Sequence, residues 1–495
     1  MTIPQVIIQA GGRGTRLETL TRNRPKCLVP VDGKPLLYHT FDAFPGASFT
    51  IIVDYRSEVV RRYLDAFPPG VPVRIVEADG DGTCGGIAKA AAGLEQDVPV
   101  AVVWCDLMFG GPPKIEHHLY PVVGITHEIP CRQKAGLAFD GKQGGVFGLF
   151  YVPKASDLIG APKSGEFVSW LLDGHLRLQY VPVIGVREYG TAQALRDHWD
   201  AKPASRWFNS VEMGEKTVIK RAKTAAARQL LNDEAEWYAE TDRRGFGRRL
   251  AFGQYVDGVI TLDRLSGGHP HEISPTADHL HAIMDTLASL HALDVAPVNR
   301  LAVREMYVDK PLARLAHIPK LAPDFAARET IEINGRTCPN PLARPYLLTD
   351  LLDRLMPPRF VFIHGDPTFS NIIMHRSGPC LIDPRGRFGG VQFYGDPAYD
   401  WAKLWYSLVG GYDQFNRKRF VLTLDFPGVE IEIAPSGWEH LAPVMAERLG
   451  PDMMRRVHLL HGLIWLSLSG YVTDCYDSML AAWFKGMLEL EGATA

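Results

Sequence analysis

The chain has 495 residues, so two to four domains are expected rather than one. Hydrophobic residues make up 46% and charged residues 22%, a balance that builds large cores and excludes wholesale disorder. With 53 Lys+Arg against 56 Asp+Glu the net charge is -3, and no global positive field draws the chain to nucleic acid or anionic lipid. The 7 cysteines are widely scattered, with no CxxC pair and no zinc-type spacing, as expected of reduced thiols in a cytoplasmic protein.

The opening segment MTIPQVIIQAGG has no basic n-region and no small-residue cleavage site, so no signal peptide is expected. Over the first 200 residues, β-branched runs (VIIQA, FTIIVDY, VPVRIVEA, VPVAVVWCD, VFGLFYVP) alternate with helical patterns such as SEVVRRYLDAF and GGIAKAAAGLEQ. That rhythm predicts βαβ units around a mostly parallel sheet. A short helix, TAQALRDHWDAK, follows, and a domain boundary is expected near Pro203. RWFNSVEMG and KTVIKRA then read as a strand pair, RQLLNDEAEWYAETDR as a helix and RLAFGQYVDGVITLDRL as further strands. From Ala277 onward the pattern is mainly helical, interrupted by one strand-and-loop region at 359 to 397. The uncharged run Val457 to Thr473 is read as a buried helix, being shorter than the roughly 20 apolar residues of a membrane span and containing two histidines.

Strand VIIQA runs straight into GGRGTRL. Gly11, Gly12 and Gly14 bring backbone N–H groups close to a phosphate, while Thr15, Arg16 and Lys26 add donors and charge, which together describe an anion cradle. The whole stretch GGRGTRLETLTRNRPKCLVPVDGKPLL, residues 11 to 37, resembles the signature of the nucleotidyltransferases that make nucleotide sugars and CDP-alcohols. The resemblance implies a Rossmann-like domain, Mg2+, attack of a substrate phosphate on the α-phosphorus of an NTP, and release of pyrophosphate. It gives Arg16 the triphosphate and Lys26 the charge between the α-phosphate and the incoming phosphate. DGDGTCGGI resembles the family's base-recognition loop, in which Gly82 and Thr83 contact the base through backbone groups. Asp106 stands at the carboxyl end of an apolar strand, where open α/β sheets gather ligands, and is the first metal ligand. Glu188, in GVREYGTAQAL, replaces the Asp usual at the family's second metal position. Gln9 stands where Leu or Ala is frequent.

In the C-terminal half, VFIHGDPTFSNIIM and LIDPRGRFGGVQFYGDPAYDWAK place His364, Asp366, Asn371 and Asp383 in the order used for phosphoryl transfer from ATP to an alcohol. Asp366 accepts the proton of the attacking hydroxyl, Asn371 and Asp383 hold Mg2+, and His364 braces the loop. This pattern resembles the aminoglycoside phosphotransferase and choline kinase superfamily, with Trp401 where Leu is usual. Upstream, Lys220 is expected on a strand as the ATP phosphate-contacting lysine, with Glu234 as its ion-pair partner and Glu236 as the competing choice. The phosphate cover is meagre, with Gly214 and Ser210. Asp396 and Asp400 are expected to anchor a helix start.

The expected architecture is therefore α/β: a Rossmann-like nucleotidyltransferase domain over 1–203, then a bilobal protein-kinase-like α+β domain over 204–495, with lobes of about 204–265 and 266–495. A kinase makes the phosphomonoester that such a nucleotidyltransferase consumes, so the fusion suggests consecutive steps on one sugar, polyol or amino alcohol. The implied use is decoration of a surface polysaccharide or lipid. ATP is the expected phosphate donor, and CTP or UTP the nucleotidyl donor ahead of GTP. Trp401, Trp405, Tyr406 and Tyr412 could cage a cationic acceptor, whereas Arg385 and Arg387 could meet a sugar or a carboxylate. Residues 110 to 180 and 295 to 355, which carry little motif information, are expected to hold acceptor specificity. The competing readings are a kinase with a degenerate nucleotide-sensing domain and an antibiotic-type phosphotransferase.

Overall fold

The computed structural model describes residues 3–78, 82–115, 118–131, 133–139, 142–175, 177–201, 209–246, 250–251 and 253–494. It divides into two compact units, Met1–Ala201 with Asp474–Asp477, and Lys202–Thr473 with Ser478–Ala495. The expected boundary residue, Pro203, and residues 79–81 of the expected base loop lie outside the described residues.

The first unit is built on an eight-stranded sheet. Its strands are β1 (Gln5–Gln9), β2 (Ser48–Val53), β3 (Val73–Glu77), β4 (Val100–Trp104), β6 (Val122–Thr126), β7 (Gln133–Phe139), β8 (Lys142–Val152) and β9 (Gln179–Pro182); β5 (Leu107–Phe109) and β10 (Val186–Glu188) pair separately. β1 lies in the middle, parallel to β2 on one side and β4 on the other, and β2 is parallel to β3. β8 runs antiparallel to β4, β6 and β7, and β9 is parallel to β6. Strands buried on both faces read as unbroken apolar runs, and the VII and VAVVW segments are such runs. Helix α1 (Ser57–Ala66) buries Val59, Val60, Tyr63 and Ala66, a spacing that marks one helical face. Helix α2 (Ile87–Ala92) packs Ile87, Ala90 and Ala91 into a buried cluster with Ile7, Ile52, Val102, Val123 and Phe150. The parallel pairing sets the carboxyl ends of β1 and β4 side by side, with Gln9 opposite Trp104, so the glycine turn and Asp106 emerge together.

The second unit begins with a four-stranded antiparallel sheet in the order β11-β12-β14-β13, where β11 is Asn209–Met213, β12 Thr217–Ala222, β13 Gln254–Val256 and β14 Val259–Asp263. The β13–β14 turn is Asp257-Gly258, both at positive φ (45° and 81°), as a two-residue hairpin of this type requires. Between the two hairpins runs α3 (Ala225–Arg243), whose N-cap Thr224 accepts the Ala227 N–H. Helix α4 (Ala277–His291) opens on N-cap Thr276 and buries Leu280, Ile283, Met284, Leu287 and Leu290. A hairpin, β17 (Ile372–His375) and β18 (Gly378–Leu381), carries the motif region. Helix α5 (Pro397–Leu408) starts at N-cap Asp396 with Pro397 in its first turn.

The C-terminal region departs from the expected helical pattern in one place. β15 (Thr330–Ile333), β16 (Arg336–Pro339), β19 (Phe420–Asp425) and β20 (Gly428–Ile433) form a four-stranded sheet in the order β16-β15-β20-β19. The signal was present: TIEI alternates exposed and buried residues, and Asn334-Gly335 at φ 49° and 74° is a strong hairpin turn. The uncharged run after Val457 is a buried helix, as read from sequence: α6 (Ala442–Leu468), broken at Gly450-Pro451, buries Val457, Leu460, Leu463 and Trp465. Among the described residues no helix is long and apolar enough to cross a membrane. None of the 7 cysteines is in a disulfide.

Candidate active sites

In the first unit the chain leaves β1 and turns at Gly14, whose left-handed backbone (φ 67°) caps a short 3-10 helix, Thr15–Thr21. A side chain at Gly14 would press on Lys26 and Thr21, whereas one at Gly12 would meet nothing within 4 Å, which leaves the backbone of the turn open. Gly11 lies close against Asp54, and Thr15 and Arg16 are exposed beside the turn. Lys26 Nζ pairs with Asp106 Oδ2, with both side chains largely buried. β10 lies antiparallel to β5 with Glu188 opposite Leu107, and the Tyr189 N–H donates to the Asp106 carbonyl at 2.9 Å. This pairing brings Glu188 beside Asp106. Arg16 closes the group, its guanidinium 3.6 Å from Glu188. A Cβ on Gly190 would strike Glu188, Asp106 and Arg16 together, at 2.3, 3.1 and 3.2 Å, so a glycine there lets the three converge. Burial, and then the charge of Asp106, push the Glu188 carboxyl above its ordinary value.

Gly82 and Thr83 stand next to Gln9. Gln9 donates to the Thr83 carbonyl at 2.5 Å, and the Thr83 hydroxyl donates to Glu166 and accepts the Phe167 N–H, both at 2.8 Å. Gly82 has φ 84° and a Cβ there would lie 2.5 Å from the Gly165 carbonyl. Arg13 is directed away from the group, over the Tyr55 ring.

In the second unit β12 delivers Lys220, 8% exposed, against Glu234 of α3 at 2.7 Å and against the Asp383 carboxylate. Burial alone would lower the Lys220 pKa, but Asp383 and Glu234 outweigh it and the net shift is upward. Glu236 points elsewhere, bonded to Asn232 and Gln392. Ser210 is exposed on β11, opposite Arg221, and Gly214 forms the β11–β12 turn. Asn371, at the end of a short 3-10 helix (Phe369–Asn371), donates to the Asp366 carbonyl at 2.8 Å and its carboxylate at 3.2 Å. Its own carbonyl accepts the Ile382 N–H, which draws Asp383 to the same place.

His364 is fully buried and braces this loop: Nδ1 accepts the Asp366 N–H at 3.2 Å and Nε2 faces the Ile382 carbonyl at 3.0 Å. Burial holds its pKa below the ordinary value despite Asp400 and Asp366. Beneath it, the fully buried Asp400 accepts the N–H groups of His364 (2.9 Å) and Gly365 (2.8 Å) and lies 3.1 Å from His291 Nε2. Asp396 caps α5 and also accepts from Tyr307 and Arg456. The motif acids Asp396 and Asp400 thus brace the site from below. Sequence reasoning missed Lys403, whose Nζ is 3.0 Å from Asp366 Oδ1; one helical turn after Tyr399 in α5, it left no signal beyond its spacing.

Asp106 with Glu188, and Asn371 with Asp383, each offer two oxygen ligands. Among the described residues no group of three or more His, Cys, Asp or Glu side chains is placed to hold a metal. Two protein oxygens suit Mg2+, which keeps waters and takes substrate phosphates as its remaining ligands. Burial first, and then the charge of Asp106, raise the Glu188 pKa, and a cation held between the two carboxylates would offset both.

Residues 6–121 match the model of the MobA-like NTP transferase domain, and residues 196–424 match that of the phosphotransferase enzyme family. The UTP–glucose-1-phosphate uridylyltransferase AglF of Haloferax volcanii is 42% identical over 72 residues, 14% of this chain and 30% of that protein. The mannose-1-phosphate guanyltransferase of Kluyveromyces lactis is 37% identical over 99 residues, 18% of this chain and 27% of that protein. The chain thus spans under a third of the length of these curated relatives. Among solved structures, HddC from Yersinia pseudotuberculosis aligns over 41% of this chain and 100% of its own, at 19% identity and a TM-score of 0.33. By the two family matches the chain joins a MobA-like NTP transferase domain to a C-terminal domain of the phosphotransferase enzyme family.

Proposed function

We propose that the chain performs two consecutive transfers on one metabolite: ROH + ATP gives ROP + ADP, and ROP + NTP gives NDP-OR + pyrophosphate. The observation that carries this reading is convergence. In each unit the polar and charged residues singled out from sequence come together: Lys26, Asp106, Glu188 and Arg16 in the first, and in the second Lys220 with Glu234 and Asp383, linked through the Asn371 carbonyl and Ile382 to Asn371 and Asp366. A decayed nucleotide sensor would have lost at least one of them, and an antibiotic-type phosphotransferase would leave the first unit without a purpose.

In the second unit Lys220, fixed by Glu234, holds the ATP phosphates, and Asp366 orients the acceptor hydroxyl and takes its proton. Asn371 and Asp383 would hold Mg2+, which supplies charge neutralisation on the transferred phosphoryl group. In the first unit the open backbone of the Gly11–Gly14 turn, with Thr15 and Arg16, binds the NTP triphosphate, and Gly82 and Thr83 meet the base. Lys26 offsets the charge that accumulates as the substrate phosphate approaches the α-phosphorus, and Asp106 with Glu188 would hold Mg2+ there. The pyrimidine donors CTP and UTP remain the proposed choice; the relatives above are named for uridylyl and guanyl transfer, so all four NTPs enter the test. An activated product of this class suits attachment to a surface polysaccharide or lipid.

The test is a mass-spectrometric screen of the full chain with ATP, Mg2+, four NTPs and a library of sugars, polyols and amino alcohols. A paired gain of phosphate and then nucleotide on one compound, with pyrophosphate released only when both ATP and the alcohol are present, supports the reading. Phosphorylation with no nucleotide adduct would refute consecutive action.

A further inference from the structure

Asp366 lies between two cations. Lys403 Nζ is 3.0 Å from its Oδ1, and Arg385 Nε is 3.8 Å from its Oδ2. Two more cations come from the region of little motif information, where Lys310 and Arg314 begin and end one short helix, Lys310–Arg314. Arg314 lies over the Tyr471 ring, its guanidinium carbon 3.8 Å from the ring centre, and donates to the Gly470 carbonyl at 3.4 Å. A Cβ at Gly470 would sit 2.6 Å from Arg314 Cδ, so glycine makes room for this stack. Among the described residues neither Lys310 nor Arg314 has a carboxylate at ion-pair distance; Lys310 meets only the Met306 sulfur, at 3.6 Å. Tyr471 is 52% exposed, and the partial desolvation of its phenol is outweighed by Lys310, Arg314, Arg385 and Lys403, which bring its pKa below the ordinary value. Arg385 and Lys403, which flank Asp366 directly, also lie within electrostatic reach of the Tyr471 phenol beside Arg314.

The aromatic residues considered as a cage for a cationic acceptor are occupied otherwise. The Lys403 ammonium lies over Tyr399 and Tyr406 at 5.9 and 5.5 Å. Tyr406 is buried and stacked on Tyr412, Trp401 is buried against His291, and Trp405 packs on His458. Arg387 is taken by Asp233 at 2.8 Å. A cationic acceptor brought to Asp366 would meet the like charges of Lys403 and Arg385 that already flank it, an arrangement that costs rather than stabilises.

We propose that the alcohol phosphorylated at Asp366 is itself an anion, a small hydroxy compound bearing a carboxylate or a phosphate, whose charge is met by Lys310, Arg314 and Arg385 beside Tyr471. This rests on the phosphoryl-transfer reading of Asp366. The acceptor oxygen forms a bond to the γ-phosphorus of ATP, the bond from that phosphorus to the β,γ-bridging oxygen breaks, ADP leaves, and the hydroxyl proton passes to Asp366. The product carries its original anion and a new phosphate.

The test uses the full chain with ATP and Mg2+ on matched acceptors: glucose, glucosamine, glucuronate and glucose 6-phosphate, and glycerol, ethanolamine, glycerate and glycerol 3-phosphate. The acidic members are expected to show kcat/KM at least tenfold above their neutral and amine counterparts, and the carboxylate and phosphate arms tell the two anions apart. Arg314→Glu should raise KM for the acidic acceptor tenfold or more without a matching rise in KM for ATP, and Lys310→Glu repeats the test at a second position. Equal or better use of neutral or amine acceptors overturns the inference. A separate measurement, the rise in melting temperature given by glucuronate or glucose 6-phosphate with ADP and Mg2+, is expected in the native chain and absent in Arg314→Glu. That stabilisation with no turnover of any acceptor would sink phosphoryl transfer while leaving the anion site standing; neither turnover preference nor stabilisation would overturn the site.

Discussion

Each proposed reaction depends on one carboxylate that can be removed alone. Asp366→Asn keeps the shape of the loop but cannot take a proton, and ATP-dependent phosphorylation should fall by about 10²- to 10⁴-fold. Nucleotidyl transfer to a supplied phosphate ester should persist. Asp106→Asn should give the reverse pattern, and simultaneous loss of both activities in either variant would contradict independent sites. Glu188 yields a pH prediction. Its folded pKa is raised above the ordinary 4.5, so above that value the metal-free folded state binds more protons at this site than the unfolded chain, and its contribution to stability declines as pH rises. Mg2+ needs the ionised form. The increase in melting temperature caused by Mg2+ should therefore be larger at pH 7 than at pH 5, and Glu188→Gln should flatten that difference. Lys26 was identifiable in the chain because its motif is dense with glycine and charge, and Asp106 because it stands at the carboxyl end of an apolar strand. Lys403 and Arg314 were not, because a lone cation on a helix has the same pattern whether it faces solvent or a site.

At the level of elements, the phosphotransfer loop is held in place by α5. Asp400 satisfies two backbone donors in a place closed to water, and Asp400→Ala orphans both. Each unsatisfied group costs about 1–3 kcal/mol, so the second unit should melt several degrees lower and lose phosphorylation, with Asp400→Asn falling between. The turn at Gly82 gives a comparable test in the first unit. Its positive φ and its approach to the Gly165 carbonyl leave no room for a side chain, so Gly82→Ala should raise KM for the NTP while leaving phosphorylation unchanged. Most elements were legible because strands such as VIIQ and helices such as SEVVRRYLDA carry their periods openly. The sheet of β15, β16, β19 and β20 was not, since its two hairpins lie some 90 residues apart in sequence and pair through β15 and β20 over only two residues, Glu332 with Gly428 and Ile333 with Val429. The period-2 alternation of so short a strand is hard to see inside a helical background.

For the whole molecule, consecutive chemistry predicts complementation. Asp366→Asn and Asp106→Asn chains, each incapable of the full sequence, should together release pyrophosphate from ATP, NTP and alcohol once the phosphorylated intermediate diffuses between them, after a lag that shortens with enzyme concentration. Failure of the mixture, with each single activity intact, would argue against a shared intermediate. The order of elements, the change from parallel-sheet rhythm to mainly helical pattern, and the two motif sets were all determined by the sequence itself, because local period and dense motifs need no knowledge of distant neighbours. Only the tertiary structure decided that Glu234 rather than Glu236 meets Lys220, that Glu188 stands beside Asp106, and that Arg387 is held by Asp233 while Arg385 faces Asp366. The first and last are choices between near-identical residues a few positions apart, the second a meeting of residues far apart in the chain, and each is set by the packing of distant segments.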